Sequence, residues 1–296
     1  MISAPQTDPK RGILLMLLAV LLFTAMDALA KGLVARYPTP QVIWARFAGQ
    51  FLLVVLVLNI HLPRLARTRF PVQHLFRSLA QLGATGFFFL SLNFIGLAEA
   101  TALTDINPVL ITLGAAVFLG ERLGPRRIFG VIAAMAGAMI VIRPGLAVFS
   151  PAALLPLCCA VSYAAAALLT RKVGAQESAW TSMIMASVFG TLVMSVAAPI
   201  YWQPIAWADL KWFALLGALG TGAQLALIRA FSLAEASVIA PYGYVGLIMA
   251  TFWGIVLYGE YPDLWTLVGA GVIVAAGLYI WHRETQAARA ASSSAA

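Results

Sequence analysis

Long apolar runs, separated by short polar or charged breaks, follow one another along almost the whole chain. A helix needs about 20 consecutive apolar residues to cross the hydrocarbon core of a bilayer. We therefore predict an all-α membrane protein. Its ten predicted spans cover residues 13–30, 42–60, 75–97, 100–119, 128–142, 152–170, 180–200, 210–233, 236–258 and 264–281.

The composition excludes several classes of protein. Of the 296 residues, 62% are apolar and 10% are charged, whereas a soluble domain has about a quarter charged residues. The two cysteines, Cys158 and Cys159, are adjacent in an apolar run and indicate neither a disulfide framework nor a metal site. The sequence contains no phosphate-binding loop, zinc-protease motif or hydrolase elbow. We expect no cofactor, no metal and no ATPase activity, and we predict that the protein is not an enzyme.

The basic residues predict the orientation in the membrane. With the N-terminus inside, the inner segments hold 13 Lys and Arg residues and the outer loops hold 4, namely Lys31, Arg36, Arg143 and Lys211. Cytoplasmic loops are enriched in basic residues, so both termini are predicted to be cytoplasmic in a bacterial inner membrane protein. The net charge of +8 then belongs to these loops and does not indicate a nucleic-acid partner.

The second half of the chain repeats a pattern of the first. Thr85-Gly86 is followed after ten residues by Leu-Ala-Glu-Ala at 97–100, and Thr221-Gly222 is followed at the same spacing by Leu-Ala-Glu-Ala at 233–236. Each copy contains five predicted helices, so the second copy enters the membrane from the opposite side. We predict two inverted repeats, residues 1–145 and 146–283, around a central cavity, with a disordered cytoplasmic tail over 284–296. Inverted repeats are typical of carriers that work by alternating access.

Charged residues at helix ends also recur between the halves. Lys31 follows the first span and Lys172 follows the sixth, while Glu121 and Glu260 each follow a glycine at the end of the fourth and ninth spans. The match between spans one and six indicates that the first span stays in the mature protein and is not a signal peptide.

The fourth and fifth spans carry motifs of a known family. Asn107-Pro108 lies within the fourth span, which closes on Leu-Gly-Glu-Arg at 119–122, and Gly130 and Gly137 lie in the fifth. With ten spans in two repeats, the chain resembles the EamA group of the drug/metabolite transporter superfamily over nearly its whole length. The resemblance implies export of small metabolites, amino acids prominent among them, with spans five and ten peripheral to a cavity. Because Leu247 stands where the first repeat has Pro108, we expect Pro241 and Gly243 to break the ninth span.

Ionisable residues inside spans are candidates for function, since each costs about 2.5–3.5 kcal/mol on insertion scales. Asp27, Arg46 and Asp105 are predicted to lie at a similar depth in the outer half, where one network can form. An equally good interpretation is that Arg46 extends outward to the surface and Asp105 caps a helix. Arg229 lies near the inner end, where extension to the surface explains it.

Polar and aromatic residues on the same helix faces complete the predicted binding set. Polar residues four apart share one helix face, although such residues also hold membrane helices together. Aromatic rings can hold an apolar or aromatic solute. The predicted solute-binding residues are Asp27, Arg46, Gln81, Thr85, Asn93, Asp105, Tyr163, Trp180, Tyr242 and Tyr244.

The sequence thus predicts a secondary or facilitated transporter that exports small metabolites, amino acids first, including aromatic or apolar ones. Its partners would be a small-molecule solute and the lipid bilayer. A multidrug exporter or an exporter of sugar-like metabolites is the alternative, and a passive channel or an intramembrane aspartyl hydrolase using Asp27 and Asp105 is more remote. Small residues in spans five and ten predict tight packing within a monomer or a homodimer contact through either span.

Overall fold

The computed structural model describes residues 8–58, 68–119, 125–143, 150–173, 178–234 and 236–295. Helices fill most of these ranges, which contain no β-strand. The first half contains α1 (Pro9–Val34), α2 (Thr39–Leu58), α3 (Pro71–Ser91), α4 (Leu97–Thr104), α5 (Asn107–Leu119) and α6 (Pro125–Ile142). The second half contains α7 (Leu154–Val173), α8 (Ala179–Ala197), α9 (Leu210–Leu233), α10 (Ala236–Ile239), α11 (Val245–Tyr258) and α12 (Leu264–Ala295).

Eight helical segments in the described part of the chain are long and apolar enough to cross a membrane. The other two predicted spans are not both long and apolar enough, each for a physical reason. Ile128–Ile142 is apolar but too short for the length criterion, and α3 contains His74, Arg77 and Gln81 among its apolar residues. The protein is therefore a multi-pass helical membrane protein, while the count of ten spans stays a prediction.

The C-terminal segment differs from its expected form. Residues 284–296 were expected to form a disordered tail, yet the backbone of α12 continues as a helix to Ala295. This segment is rich in alanine, the residue with the highest helix propensity, so the helix continues beyond the apolar stretch.

Two of the spans contain breaks. The fourth divides into α4 and α5 at a turn formed by Asp105 and Ile106. Pro108 has no N–H to donate to the carbonyl of Thr104, so a regular helix cannot continue through this point. The ninth divides into α10 and α11, joined by a 3-10 segment over Ala240–Tyr244. This break lies at Pro241 and Gly243, where the sequence placed it.

The packing pairs of the helices correspond between the two halves. Helix α1 packs along α9, and its counterpart α7 packs along α3. Helix α1 also contacts α11, as α7 contacts α5. The contact of α2 with α9 likewise corresponds to that of α8 with α3. Exchanging each helix for its counterpart thus reproduces the same contacts, as expected for a repeat. The boundaries at residues 145 and 283 stay predictions.

Glycines allow α6 and α12 to approach each other closely. A Cβ atom on Gly137 would lie 2.9 Å from the backbone oxygen of Gly269, and one on Gly130 would lie 2.6 Å from Ile280 Cγ1. The small-residue surfaces of these two helices therefore pack against each other within one chain. A homodimer through either helix stays a prediction.

Candidate functional site

Two opposite charges face each other on α1 and α2. Arg46 is only 6% exposed, and its side chain attracts the half-buried carboxylate of Asp27 electrostatically. No nitrogen of Arg46 lies within 4.0 Å of an oxygen of Asp27, the limit for an ion pair. The two charges are therefore near each other without being in direct contact.

Helix α9 comes close to Arg46 at a glycine. A Cβ atom on Gly220 would lie 2.9 Å from Met26 Sδ and 3.9 Å from Arg46 Nε. The guanidinium group lies over the Phe47 ring, 4.9 Å from its centroid, and Nε is buried without a hydrogen-bond partner. Arg46 thus has at least one unused donor at the point where α1, α2 and α9 meet.

The two helix breaks also present unpaired polar atoms. Asp105 Oδ2 and Asn107 Oδ1, at the break between α4 and α5, are buried without hydrogen-bond partners, as is the hydroxyl of Tyr244 at the second break. Asp105 and Tyr244 interact electrostatically across the break region. A buried polar group without a partner is costly, so this position is suited to water, an ion or a polar group of a solute.

Residues on α7 lie near both charged positions. Cys159 is 4% exposed, and its thiol contacts Thr104 beside Asp105 and interacts electrostatically with Asp27. Tyr163, one turn along α7, interacts with Cys159 and is 41% exposed. Cys159 and Asn107 were not among the predicted site residues, because neither carries a charge or belongs to a row of polar residues on one helix face. The position of Asn107 directly before Pro108 was the available sign of a functional residue.

The other predicted site residues lie elsewhere. Thr85 is buried and Gln81 half-buried on α3, the helix that packs along α7. Asn93 lies in the exposed turn after α3, where its Nδ2 atom donates to Thr39 Oγ1 over 3.1 Å. Trp180 packs near one end of the bundle beside Met183, and Tyr242 packs against a separate cluster that contains Met16 and Val20. The structure therefore does not bring these last three residues to Asp27 and Arg46.

An apolar cavity of about 470 Å³ lies between α4, the second break, α11 and α12. Its lining includes Ala98, Pro241, Thr251 and Leu267, and Tyr244 is the one predicted site residue among its lining residues. Asp27 and Arg46 do not line it. Tyr244 thus separates this apolar space from the polar atoms around Asp105.

Among the described residues, three ion pairs join the two halves at the end of the bundle where α1 finishes. They are Lys31–Glu260 at 2.7 Å, Arg36–Asp209 at 2.9 Å and Arg143–Asp263 at 2.5 Å. Partial burial by itself raises the pKa of Asp263, but hydrogen bonds from Thr266 and the contact with Arg143 outweigh it and hold that pKa below its usual value. Sequence analysis missed these pairs. The repeat matched Lys31 with Lys172 and Glu260 with Glu121. It therefore showed which residues hold equivalent positions in the two halves, but not that Lys31 contacts Glu260.

The chain matches the EamA-like transporter family twice, over residues 10–143 and 150–281. It is 30% identical over 273 residues to the pseudopaline exporter CntI of Pseudomonas aeruginosa, covering 90% of this chain and 94% of that protein. It is 29% identical over 293 residues to a riboflavin transporter of Rhizobium johnstonii, covering 95% of each. It is 27% identical over 272 residues to an S-adenosylmethionine uptake transporter of Rickettsia bellii, covering 92% of this chain and 93% of that one.

A solved crystal structure has a similar fold. It aligns with a TM-score of 0.62 over 91% of this chain and 96% of the other, at 19% sequence identity. At this identity the similarity supports the fold alone.

Proposed function

Because the chain belongs to the EamA-like transporter family, we propose that it exports amino acids, including aromatic and apolar ones, by alternating access. Family membership itself establishes a membrane transporter of a small molecule in a lipid environment, and the named relatives are transporters, not enzymes. One relative is named for export and another for uptake. The class of solute in this proposal therefore comes from the residues of this chain, whereas the direction, export, follows the resemblance to the EamA group.

The observation that carries the proposal is the open pair of opposite charges at Asp27 and Arg46. An α-carboxylate would accept hydrogen bonds from the Arg46 guanidinium group, whose planar donors match a carboxylate. The α-ammonium group of the same solute would face Asp27. Since the two side chains are not in direct contact, a zwitterion can bind between them and replace the water lost on entering the membrane.

The second polar position supplies a further contact for a carrier. Asp105 lies at the C-terminal end of α4, where a helix carries partial negative charge. Together with Asn107 and Tyr244, it forms an acceptor-rich position for a proton or an ammonium group. Discontinuous helices near the middle of the membrane hold solutes and coupling ions in other secondary transporters.

The alternatives fit this arrangement less well. A cationic drug would face the buried positive charge of Arg46, which repels it. A neutral, sugar-like solute would bring no charged group to either Asp27 or Arg46, which would then have only their interaction at a distance to offset the cost of charges inside a span.

Uptake of a toxic amino-acid analogue by cells tests this proposal. Cells that overproduce the protein are expected to tolerate p-fluorophenylalanine better, and to accumulate less of the labelled analogue, than cells with an empty vector. Cells that produce Arg46→Gln at the same level are the matched control and should behave like the empty-vector cells. Equal accumulation in all three strains would show that the protein does not export this class of solute.

We further propose that both termini are cytoplasmic in a bacterial inner membrane. The proposal is supported by the excess of Lys and Arg in the predicted inner segments. In a Cys158→Ser background, an impermeant maleimide should label Lys211→Cys in intact cells and should label Arg11→Cys only after the cells are opened. Both native residues are exposed. The reverse pattern would refute this orientation.

A further inference from the structure

The end of the bundle where α1 finishes is closed around a buried lysine. Lys31 is 9% exposed, and its Nζ atom donates to the carbonyl oxygens of Ile95 at 2.8 Å and Leu92 at 3.4 Å. The same atom lies 2.7 Å from Glu260 Oε1. One ammonium group therefore ties α1 both to the segment between α3 and α4 and to the second half of the chain.

Glu260 holds the beginning of α4 as well as Lys31. Its Oε2 atom accepts a hydrogen bond from the backbone N–H of Leu97, the first residue of α4, at 3.0 Å. A carboxylate at a helix N-terminus is favourable, because the free N–H groups there carry partial positive charge. Glu260 belongs to the second EamA repeat, at 150–281, whereas Lys31 and Leu97 belong to the first, at 10–143.

The backbone before Glu260 fixes the position of its carboxylate. Gly259 ends α11 in the left-handed region, with φ of 64°, and the N–H groups of Gly259 and Glu260 donate to Ile255 and Gly254. This is the terminating motif for which glycine is the preferred residue. One residue earlier, the Tyr258 hydroxyl donates to the Ala28 carbonyl on α1. The chain that carries Glu260 is thus held against α1 by the Tyr258 hydroxyl as well as by the ion pair.

The short helix α4 connects this ion pair to the candidate site. It has 8 residues, with Leu97 at one end and Thr104 at the other, and Asp105 follows directly. Helix α4 packs against α7 and α11. Because so short a helix moves as a unit, a displacement of its first residue is transmitted to Asp105.

We infer that Lys31 and Glu260 are positioning residues of the transport cycle: their contact closes this end of the bundle and holds α4 so that Asp105 faces Tyr244. This inference rests on the proposed carrier function and names the contact that must separate when the site opens toward this end. The other two ion pairs at this end are more exposed. Arg36 and Asp263 have side chains 51% and 48% exposed, and pairs of this kind contribute little.

A native cysteine reports whether this end is open. Cys159 is 4% exposed and belongs to the same core cluster as Leu33 and Leu97, which lie beside the ion pair. In a Cys158→Ser background, a membrane-impermeant cationic methanethiosulfonate is applied to right-side-out and inside-out vesicles, and the rate of Cys159 modification is measured. Glu260→Gln is expected to increase this rate about tenfold from the Glu260 side and to leave the rate from the opposite side unchanged or lower.

Asp263→Asn is the matched control. It removes an ion pair between the same two repeats at the same end, while asparagine can still accept the hydrogen bond from the Thr266 N–H that Asp263 accepts at 2.8 Å. We expect its rate to stay within about twofold of the parent, as for an exposed pair. The inference is overturned if Glu260→Gln reacts as slowly as Asp263→Asn, or if both accelerate equally.

Lys31→Met distinguishes the effect of losing the ion pair from the effect of a less stable fold. It removes the ammonium group but leaves Glu260 on the N-terminus of α4, so it answers the question even if Glu260→Gln fails to fold. Lys31→Met should accelerate labelling from the same side as Glu260→Gln, and the double variant should react more slowly than the product of the two single effects, because the shared ion pair is lost only once. Faster labelling from both sides, together with a lower melting temperature in detergent, would show a structural role only. No solute is present, so failure of the amino-acid proposal leaves this result unaffected.

Discussion

Arg46→Gln is expected to lower the transport of labelled phenylalanine in proteoliposomes by about 100-fold. Glutamine is similar in shape to the first part of arginine but carries no charge, and hydrogen bonds to charged groups contribute about 1.5–3 kcal/mol each. Arg46 is buried, with an unpaired Nε atom, and it is the basic residue whose charge acts on Asp27. Initial rates of uptake over a range of phenylalanine concentrations measure the effect.

Two related solutes separate loss of recognition from loss of folding. Phenethylamine lacks the carboxylate and is repelled by Arg46, so its weak competition with phenylalanine in the parent should be kept or strengthened in Arg46→Gln. Hydrocinnamate lacks the ammonium group and should lose its competition along with phenylalanine. Arg46→Lys keeps the positive charge but not the planar donors, and its rate should fall between those of the parent and Arg46→Gln. Equal losses for all three solutes would contradict a role in binding the carboxylate.

Asp105→Asn is expected to reduce transport by at least about tenfold, as neutralising a functional charge within a span should. The change is almost isosteric, so it removes the negative charge that a proton or an ammonium group requires while keeping the volume of the side chain. Asp27→Asn should have a similar effect for the same reason. Thr112→Ala, on α5, is the control: the Thr112 hydroxyl donates to the Pro108 carbonyl at 2.9 Å, and its loss tests packing near the break.

Folding must be measured beside activity for both aspartates. Removing one partner of a buried pair of charges destabilises a protein by about 3–5 kcal/mol, which would affect Asp27→Asn more than Asp105→Asn. Melting in detergent shows whether each variant is folded at the assay temperature. If a folded Asp27→Asn, Asp105→Asn double variant transports normally, the site lies elsewhere, and the aromatic residues around Tyr163 and Tyr244 become the leading candidates.

The sequence predicts the helices well because the membrane imposes a simple rule on them. A run of apolar residues has no stable alternative in lipid to a helix with all its backbone hydrogen bonds satisfied. For α3, which corresponds to the third predicted span, His74 and Arg77 lower the hydropathy of a helix that protein contacts bury, so the apolar pattern alone does not establish that it crosses the membrane. The break at Asp105 follows from Pro108 and not from the apolar pattern.

The sequence predicted which site residues lie near each other only where their predicted depth in the membrane was sufficient information. Asp27 and Arg46 were predicted at a similar depth in the outer half, and the structure brings these two residues near each other. Asp105 lies instead near Tyr244, an arrangement across the two helix breaks that depth alone does not predict. Asn93 was placed on a helical stripe, but α3 ends at Ser91, so the spacing of four residues no longer describes its direction.

Contacts between the halves could not be predicted from the repeat. The repeat shows which residues are equivalent, and equivalent residues of an inverted pair lie at opposite ends of the molecule. The partner of Lys31 is therefore Glu260 at its own end, a choice made by the tertiary packing of α1, α4 and α11. The cost of a buried lysine explains why such a partner is required.

Counterflow in proteoliposomes tests the central claim, alternating access by an amino-acid carrier, most directly. Vesicles are loaded with a high concentration of unlabelled phenylalanine and diluted into a trace of labelled phenylalanine. A carrier that exchanges one solute for another accumulates the label transiently above its equilibrium level, and initial rates saturate with concentration. We expect this overshoot with phenylalanine inside and a weaker one with phenethylamine or hydrocinnamate. Flux that rises linearly with concentration and shows no overshoot would contradict alternating access.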